Sequence, residues 1–79
     1  MNRTEVYTRL ASVFQDVFDR EVVLADETTA ANVPGWDSLS HITLIGSVED
    51  EFDVKFSMKD VVGMKNVGEL VDKIIELSK

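Results

Sequence analysis

Gly35-Trp36-Asp37-Ser38-Leu39-Ser40-His41-Ile42-Thr43-Leu44-Ile45-Gly46-Ser47-Val48-Glu49-Asp50-Glu51-Phe52 contains both a start signal and a periodic pattern. Pro34 cannot continue a helix, and Pro34-Gly35 is turn chemistry. Asp37 is a good N-cap, so the spacing predicts a helix from Ser38 to Phe52. At 100° per residue, Leu44, Ile45, Val48 and Phe52 gather on one side, which should face a core. Leu39, Ile42 and Gly46 form a second stripe roughly opposite, flanked by Glu49, Asp50 and Asp53. A helix packed on one side leaves that second stripe in solvent, where an apolar strip edged by carboxylates suits a basic protein partner. Gly46 costs about 1 kcal/mol relative to alanine in mid-helix. Its use is either close approach by a partner or ligand, or relief of crowding against the first helix.

The flanks are helical too. Val6, Leu10, Val13, Phe14, Val17 and Phe18 recur at three- and four-residue spacing, which predicts a first helix over Thr4–Asp19. The segment from Arg20 to Trp36 has no such period. It reads as a long loop anchored by Val22, Val23 and Leu24, and loops of that length are often functional. Ser57, with Asp60 three residues on, caps a short helix through about Val62 that Gly63 ends. Asn66 caps the last helix, with Glu69 as its capping-box partner and Val67, Leu70, Val71, Ile74 and Leu77 as its buried face. Phe56, Val61, Met58 and Met64 read as core or rim packing. The fold class is all-α: a four-helix bundle of three long helices and one short one, with a long loop between the first and second.

Seventy-nine residues make a single domain, 1–79, with one core and no deep cleft. No run approaches the roughly 18 apolar residues of a membrane span. The N-terminus lacks a secretory apolar stretch, so a cytoplasmic location is expected. Cysteine is absent, which excludes disulfides, thiolate metal sites and a cysteine nucleophile; thiol chemistry here would have to ride on an attached cofactor. The net charge of −7 is uneven: from Glu21 to Val54 there are eight acidic residues and no lysine or arginine, whereas the remainder holds seven acids and all eight bases. Nucleic acid and anionic membranes are therefore poor partners, and basic protein surfaces are good ones.

Ser38 is the candidate site of modification. Its hydroxyl is exposed at the first helical position, where free backbone N–H groups and the helix dipole favour a phosphate. A plain helix-start serine is the bland alternative. His41, three residues on, would be the only base for a minimal nucleophile pair. No orienting group or pocket accompanies it, so it reads as a partly buried, hydrogen-bonded histidine, and no residue is assigned as catalytic. Trp36 reads as a ligand-stacking or loop-anchoring aromatic. Glu49-x-Glu51-x-Asp53 with Asp60 echoes a calcium loop, but Val54 stands where the sharp turn needs glycine, and no metal is expected.

Gly35-Trp36-Asp37-Ser38-Leu39 before an amphipathic helix ending Glu49-Asp50-Glu51-Phe52 resembles the acyl carrier protein family. The resemblance extends over nearly the whole chain, including Phe52-Asp53-Val54-Lys55-Phe56 and Asn66-Val67-x-x-Leu70-Val71. It implies that Ser38 receives 4′-phosphopantetheine from coenzyme A through a magnesium-dependent phosphopantetheinyl transferase. It also implies a monomeric, non-enzymatic carrier that holds acyl or aminoacyl groups as thioesters in fatty-acid, polyketide or other specialised biosynthesis. The implied partners are the transferase, an acyl- or aminoacyl-loading ligase or transferase, and synthases with basic docking surfaces. By the family pattern these would contact Asp37, Leu39, Ile42, Gly46, Glu49 and Asp50, with Phe56, Met58 and Val61 lining a nearby groove. Ser40 and Thr43 stand where carriers of primary fatty-acid synthesis usually have acids, and Gly46 where they have a large apolar residue, which points to a specialised carrier. An unmodified acidic helical adaptor for a basic partner is the alternative.

Overall fold

A computed structural model describes residues 2–78. Its helices are α1 (Arg3–Phe18), α2 (Ser38–Phe52), α3 (Met58–Gly63) and α4 (Val67–Leu77), with a 3-10 turn at Ala30–Asn32 that the loop's sequence did not suggest. No strand occurs among the described residues. The all-α reading holds, and α2 has the boundaries read from its spacing.

Each helix start uses a side chain to satisfy otherwise orphaned amides. Asn2 accepts from the Glu5 N–H at 2.8 Å, so α1 begins one residue before the expected Thr4. Ser57 and Asp60 form both halves of a capping box on α3. Asn66 accepts the Glu69 N–H at 2.9 Å, but the return bond expected from Glu69 does not form. Two helices close on left-handed aspartates, Asp19 and Asp53 (φ 53° and 54°), a conformation that aspartate tolerates better than most residues. Gly63, expected as the terminator of α3, is its last helical residue, and Met64 is the cap.

One apolar core unites Val6, Leu10, Val13 and Phe14 of α1, Leu44, Ile45, Val48 and Phe52 of α2, and Val67, Leu70, Val71 and Ile74 of α4. Two expected members are absent. Leu77 is 37% exposed on the last turn of α4, and Val23 is 87% exposed, so only Val22 and Leu24 tie their part of the loop to the core.

The long loop is anchored by its backbone as well. The carbonyls of Thr28 and Asp26 accept the first two amides of α4, from Val67 at 2.8 Å and Gly68 at 2.9 Å. Arg3 reaches from α1 to Asp26, at 2.6 Å, and to Asp72 on α4. Tyr7 donates its hydroxyl to the same Asp26, which, with Arg3, holds that carboxyl below its ordinary range. Exposed ion pairs of this kind contribute little individually. Their value here is to fix the loop, which has no hydrophobic stripe, onto α1 and α4.

Two glycines separate packing from propensity. A Cβ at Gly68 would lie 3.0 Å from the Asp26 carbonyl oxygen and 3.0 Å from its Cβ, whereas one at Gly46 would meet no atom within 4 Å. The crowding explanation for Gly46 is thereby excluded. Gly68→Ala is expected to lower stability by about 1–3 kcal/mol through overpacking. Gly46→Ala is expected to raise it by up to about 1 kcal/mol. Urea-unfolding midpoints of the two variants should move in opposite directions.

Candidate functional site

The corner preceding α2 is built from Gly35, Asp37 and Ser40. Gly35 has φ of 90°, which favours glycine. Asp37 Oδ1 accepts the N–H groups of Leu39 and Ser40, both at 3.0 Å. Ser40 Oγ accepts the Asp37 N–H at 2.8 Å and donates to the Gly35 carbonyl at 2.7 Å. The Ser40 backbone N–H, above all, and then that of Leu39 hold the Asp37 carboxyl below its ordinary value. Ser40, taken from sequence as a missing surface acid, thus faces the corner and completes it.

Ser38 differs from its neighbour. It is exposed at the first residue of α2, and its hydroxyl has no hydrogen-bond partner among the described residues. Of the two serines at this corner, only Ser38 offers a hydroxyl without first breaking a bond. The expectation of free amides for a phosphate needs correction, because Asp37 already occupies the Leu39 and Ser40 N–H groups. The Ser38 N–H and the helix dipole remain.

Behind the corner, Trp36 anchors the loop. Its indole meets the Phe14 ring edge-on, with centroids 5.2 Å apart, and its Nε1–H donates to His41 Nδ1 at 3.1 Å. His41 Nε2 lies 3.1 Å from the Val61 carbonyl oxygen of α3. An indole N–H can only donate and a carbonyl can only accept, so the two contacts place the imidazole proton on Nε2. Both ring nitrogens are engaged, and neither is available to activate Ser38. His41 instead links the loop, α2 and α3.

Between α2, α3 and the start of α4 lies an open groove of about 830 Å³, where the family resemblance implied one. Its apolar walls include Ile42, Ile45, Phe56, Val61 and Leu70, and Ser38 and Asp37 are also on its lining. The open side of Gly46 borders this space. Of the expected partner residues, Asp37, Ile42, Gly46, Glu49, Met58 and Val61 share the groove with Ser38. Leu39 stands outside it, 80% exposed, and Asp50 projects into solvent. Phe56 and Val61 are half-buried against the core, whereas Met58 is largely exposed on the rim. Val62, exposed on the lining, was missed, although it follows Met58 at one-turn spacing.

The acids at the end of α2 oppose the helix dipole, so each needs a reason to be there. The half-buried Glu49 accepts the Phe56 N–H at 2.8 Å. Glu51 pairs with Arg9 at 2.8 Å, and the Arg9 guanidinium lies over the Phe52 ring. Asp50 has no ion-pair partner among the described residues. These helical positions cannot form a calcium loop, and no group of three metal-ligating side chains occurs among the described residues. No helix there is long and apolar enough to cross a membrane.

The groove opens beside the unpartnered Ser38 hydroxyl. Residues 8–74, from within α1 into α4, match the family model described as "Phosphopantetheine attachment site". The chain is similar to the holo acyl carrier protein from Geobacter metallireducens, known from a solution NMR structure. Sequence identity is 39% and the TM-score 0.84, over 90% of this chain and 83% of that one.

The lowered Asp37 value has a consequence for acid stability. A carboxyl depressed in the folded state stabilises the fold above its ordinary 3.8, and that contribution disappears as pH falls through the lower folded value. Asp37→Asn keeps the shape and removes the charge. The wild type should be the more stable at pH 7, and the gap in urea midpoint should narrow below about pH 3.8. A gap unchanged with pH would mean that the Asp37 charge does not support the corner.

Proposed function

The chain belongs to the acyl carrier family of phosphopantetheine-attachment domains, and we propose that Ser38 is its attachment residue. It is a carrier and not a catalyst; its prosthetic group is a covalently attached phosphopantetheine, and it works with phosphopantetheinyl transferases and acyl-handling enzymes. The observation that carries the assignment to Ser38 is its unpartnered, exposed hydroxyl on a fixed corner beside an apolar groove. Once attached, the group supplies a terminal thiol for thioester carriage, which no residue of this cysteine-free chain can supply. Family membership gives the adaptor alternative no support.

The chain's own residues then divide the work. Leu39, Ile42, Met58 and Val62 are large, exposed and apolar around Ser38, and form the contact face for partner enzymes. Asp50, without an ion-pair partner among the described residues, supplies negative charge that steers a basic surface towards it. Glu49 contributes less to steering, because its carboxylate also fixes the Phe56 N–H. Thr43 adds no charge, Ser40 is turned into the corner, and Gly46 leaves the groove open. These three departures support a specialised acyl or aminoacyl carrier over one serving primary fatty-acid synthesis; the proposed carrier acts as a monomer and a single domain.

The apo protein incubated with coenzyme A and a broad-specificity transferase should gain the mass of one phosphopantetheine, and Ser38→Ala should gain none. An equal gain in Ser38→Ala would defeat the assignment. Asp50→Lys should slow the modification roughly two- to tenfold, an effect that fades as salt screens the steering. Glu49→Lys is the poorer probe, since it also removes the bond to Phe56.

A further inference from the structure

We propose that Ser40 is a positioning residue for modification of its neighbour, locking the Gly35–Asp37 corner so that Ser38 meets an incoming transferase in one orientation. This rests on Ser38 being the acceptor. The Ser40 hydroxyl has one proton, and three oxygens lie within reach. The Gly35 carbonyl, at 2.7 Å, is nearer than Asp37 Oδ1 at 3.2 Å or the Asp37 carbonyl at 3.3 Å. A lone pair of Ser40 Oγ receives the Asp37 N–H at 2.8 Å. One side chain therefore holds the backbone on both sides of Trp36, immediately before the acceptor serine.

The lock joins the turn at Gly35 to α2. The φ of 90° at Gly35 places it third in a Val33–Trp36 turn, which Pro34 and the Trp36 N–H donating to the Val33 carbonyl at 3.1 Å close. A built Cβ at Gly35 would reach only one atom within 4 Å, Phe18 Cδ1 at 3.8 Å, so packing restrains the residue weakly. The bond from Ser40 to the Gly35 carbonyl ties this turn to the first turn of α2. The same bond spends the Ser40 hydroxyl and leaves that of Ser38 as the free one.

The chemistry also explains why serine, and not an acid, suits this position. A carboxylate at residue 40 could accept the Asp37 N–H as the usual capping-box partner. It has no proton for the Gly35 carbonyl and would face the Asp37 carboxylate across the 3.2 Å gap. Serine gives up a surface charge and gains a donor. Threonine keeps that donor; alanine and aspartate do not.

The test is steady-state transfer of phosphopantetheine from coenzyme A to wild type, Ser40→Ala, Ser40→Asp and Ser40→Thr, with hydrogen exchange of the Asp37 amide followed by NMR. Ser40→Ala and Ser40→Asp should lose roughly three- to tenfold in kcat, the worth of one net hydrogen bond. KM for the carrier should stay unchanged in Ser40→Ala, because the contact face is untouched. Ser40→Thr should restore kcat to within about twofold of wild type. Asp37 exchange should quicken in Ser40→Ala and stay slow in Ser40→Asp, which separates the lost donor bond from a lost cap. An unchanged kcat in Ser40→Ala, or wild-type kcat in Ser40→Asp, overturns the proposal. Mass gain by Ser38→Ala would overturn the acceptor assignment and this role together, and is read separately from the Ser40 series.

Discussion

Leu44, Ile45, Val48 and Phe52 enter one core with Leu10 and Phe14 of α1 and Leu70 and Ile74 of α4, and the rest of the molecule follows from that packing. A helix has one side to bury. Once this stripe is committed, Leu39 and Ile42 must stand in solvent, at 80% and 66% exposure, although they are as apolar as the buried set. Burial of a leucine or isoleucine side chain is worth about 1.5–3 kcal/mol. Contact with partner enzymes is the role proposed for these two exposed residues on α2.

The long loop solves a spacing problem. It has no amphipathic period, yet Asp26 and Thr28 lend their carbonyls to the first amides of α4, and Trp36 drives its ring edge against Phe14. The loop is thereby fixed at both ends of the bundle. It delivers Ser38 to the rim of the groove, not to its floor, so an attached arm can reach inward to the groove or outward to a partner. His41 extends the same order to α3, which contributes no fully buried side chain of its own.

Much of this was legible in residue spacing. The core stripe and boundaries of α2, its exposed second stripe and three of the helix caps follow from a period of 3.6 and from Asp37, Ser57 and Asn66. What escaped depends on distance through space. Spacing alone did not show the groove, which only the family resemblance implied, because no periodicity records the open space beside Gly46. Val23 looked like an anchor because it sits between Val22 and Leu24, but a non-helical backbone turned it outward. Leu77 matched the stripe of α4, but the helix ends there with nothing above it to cover the side chain. Ser40 looked like an absent charge, because sequence shows what a side chain lacks and not the carbonyl it reaches. Glu49, grouped with Asp50 as a free carboxylate, is folded back onto Phe56 for a similar reason.

The central claim is that one hydroxyl, that of Ser38, bears the prosthetic group. The absence of lysine and arginine between Glu21 and Val54 makes a direct reading practical, because trypsin leaves Glu21–Lys55 as one peptide. Fragment-ion mass mapping of that peptide from the wild-type holo protein should place a single phosphopantetheine on Ser38. Its localisation to Ser40, Ser47 or a threonine of the same peptide would contradict the account.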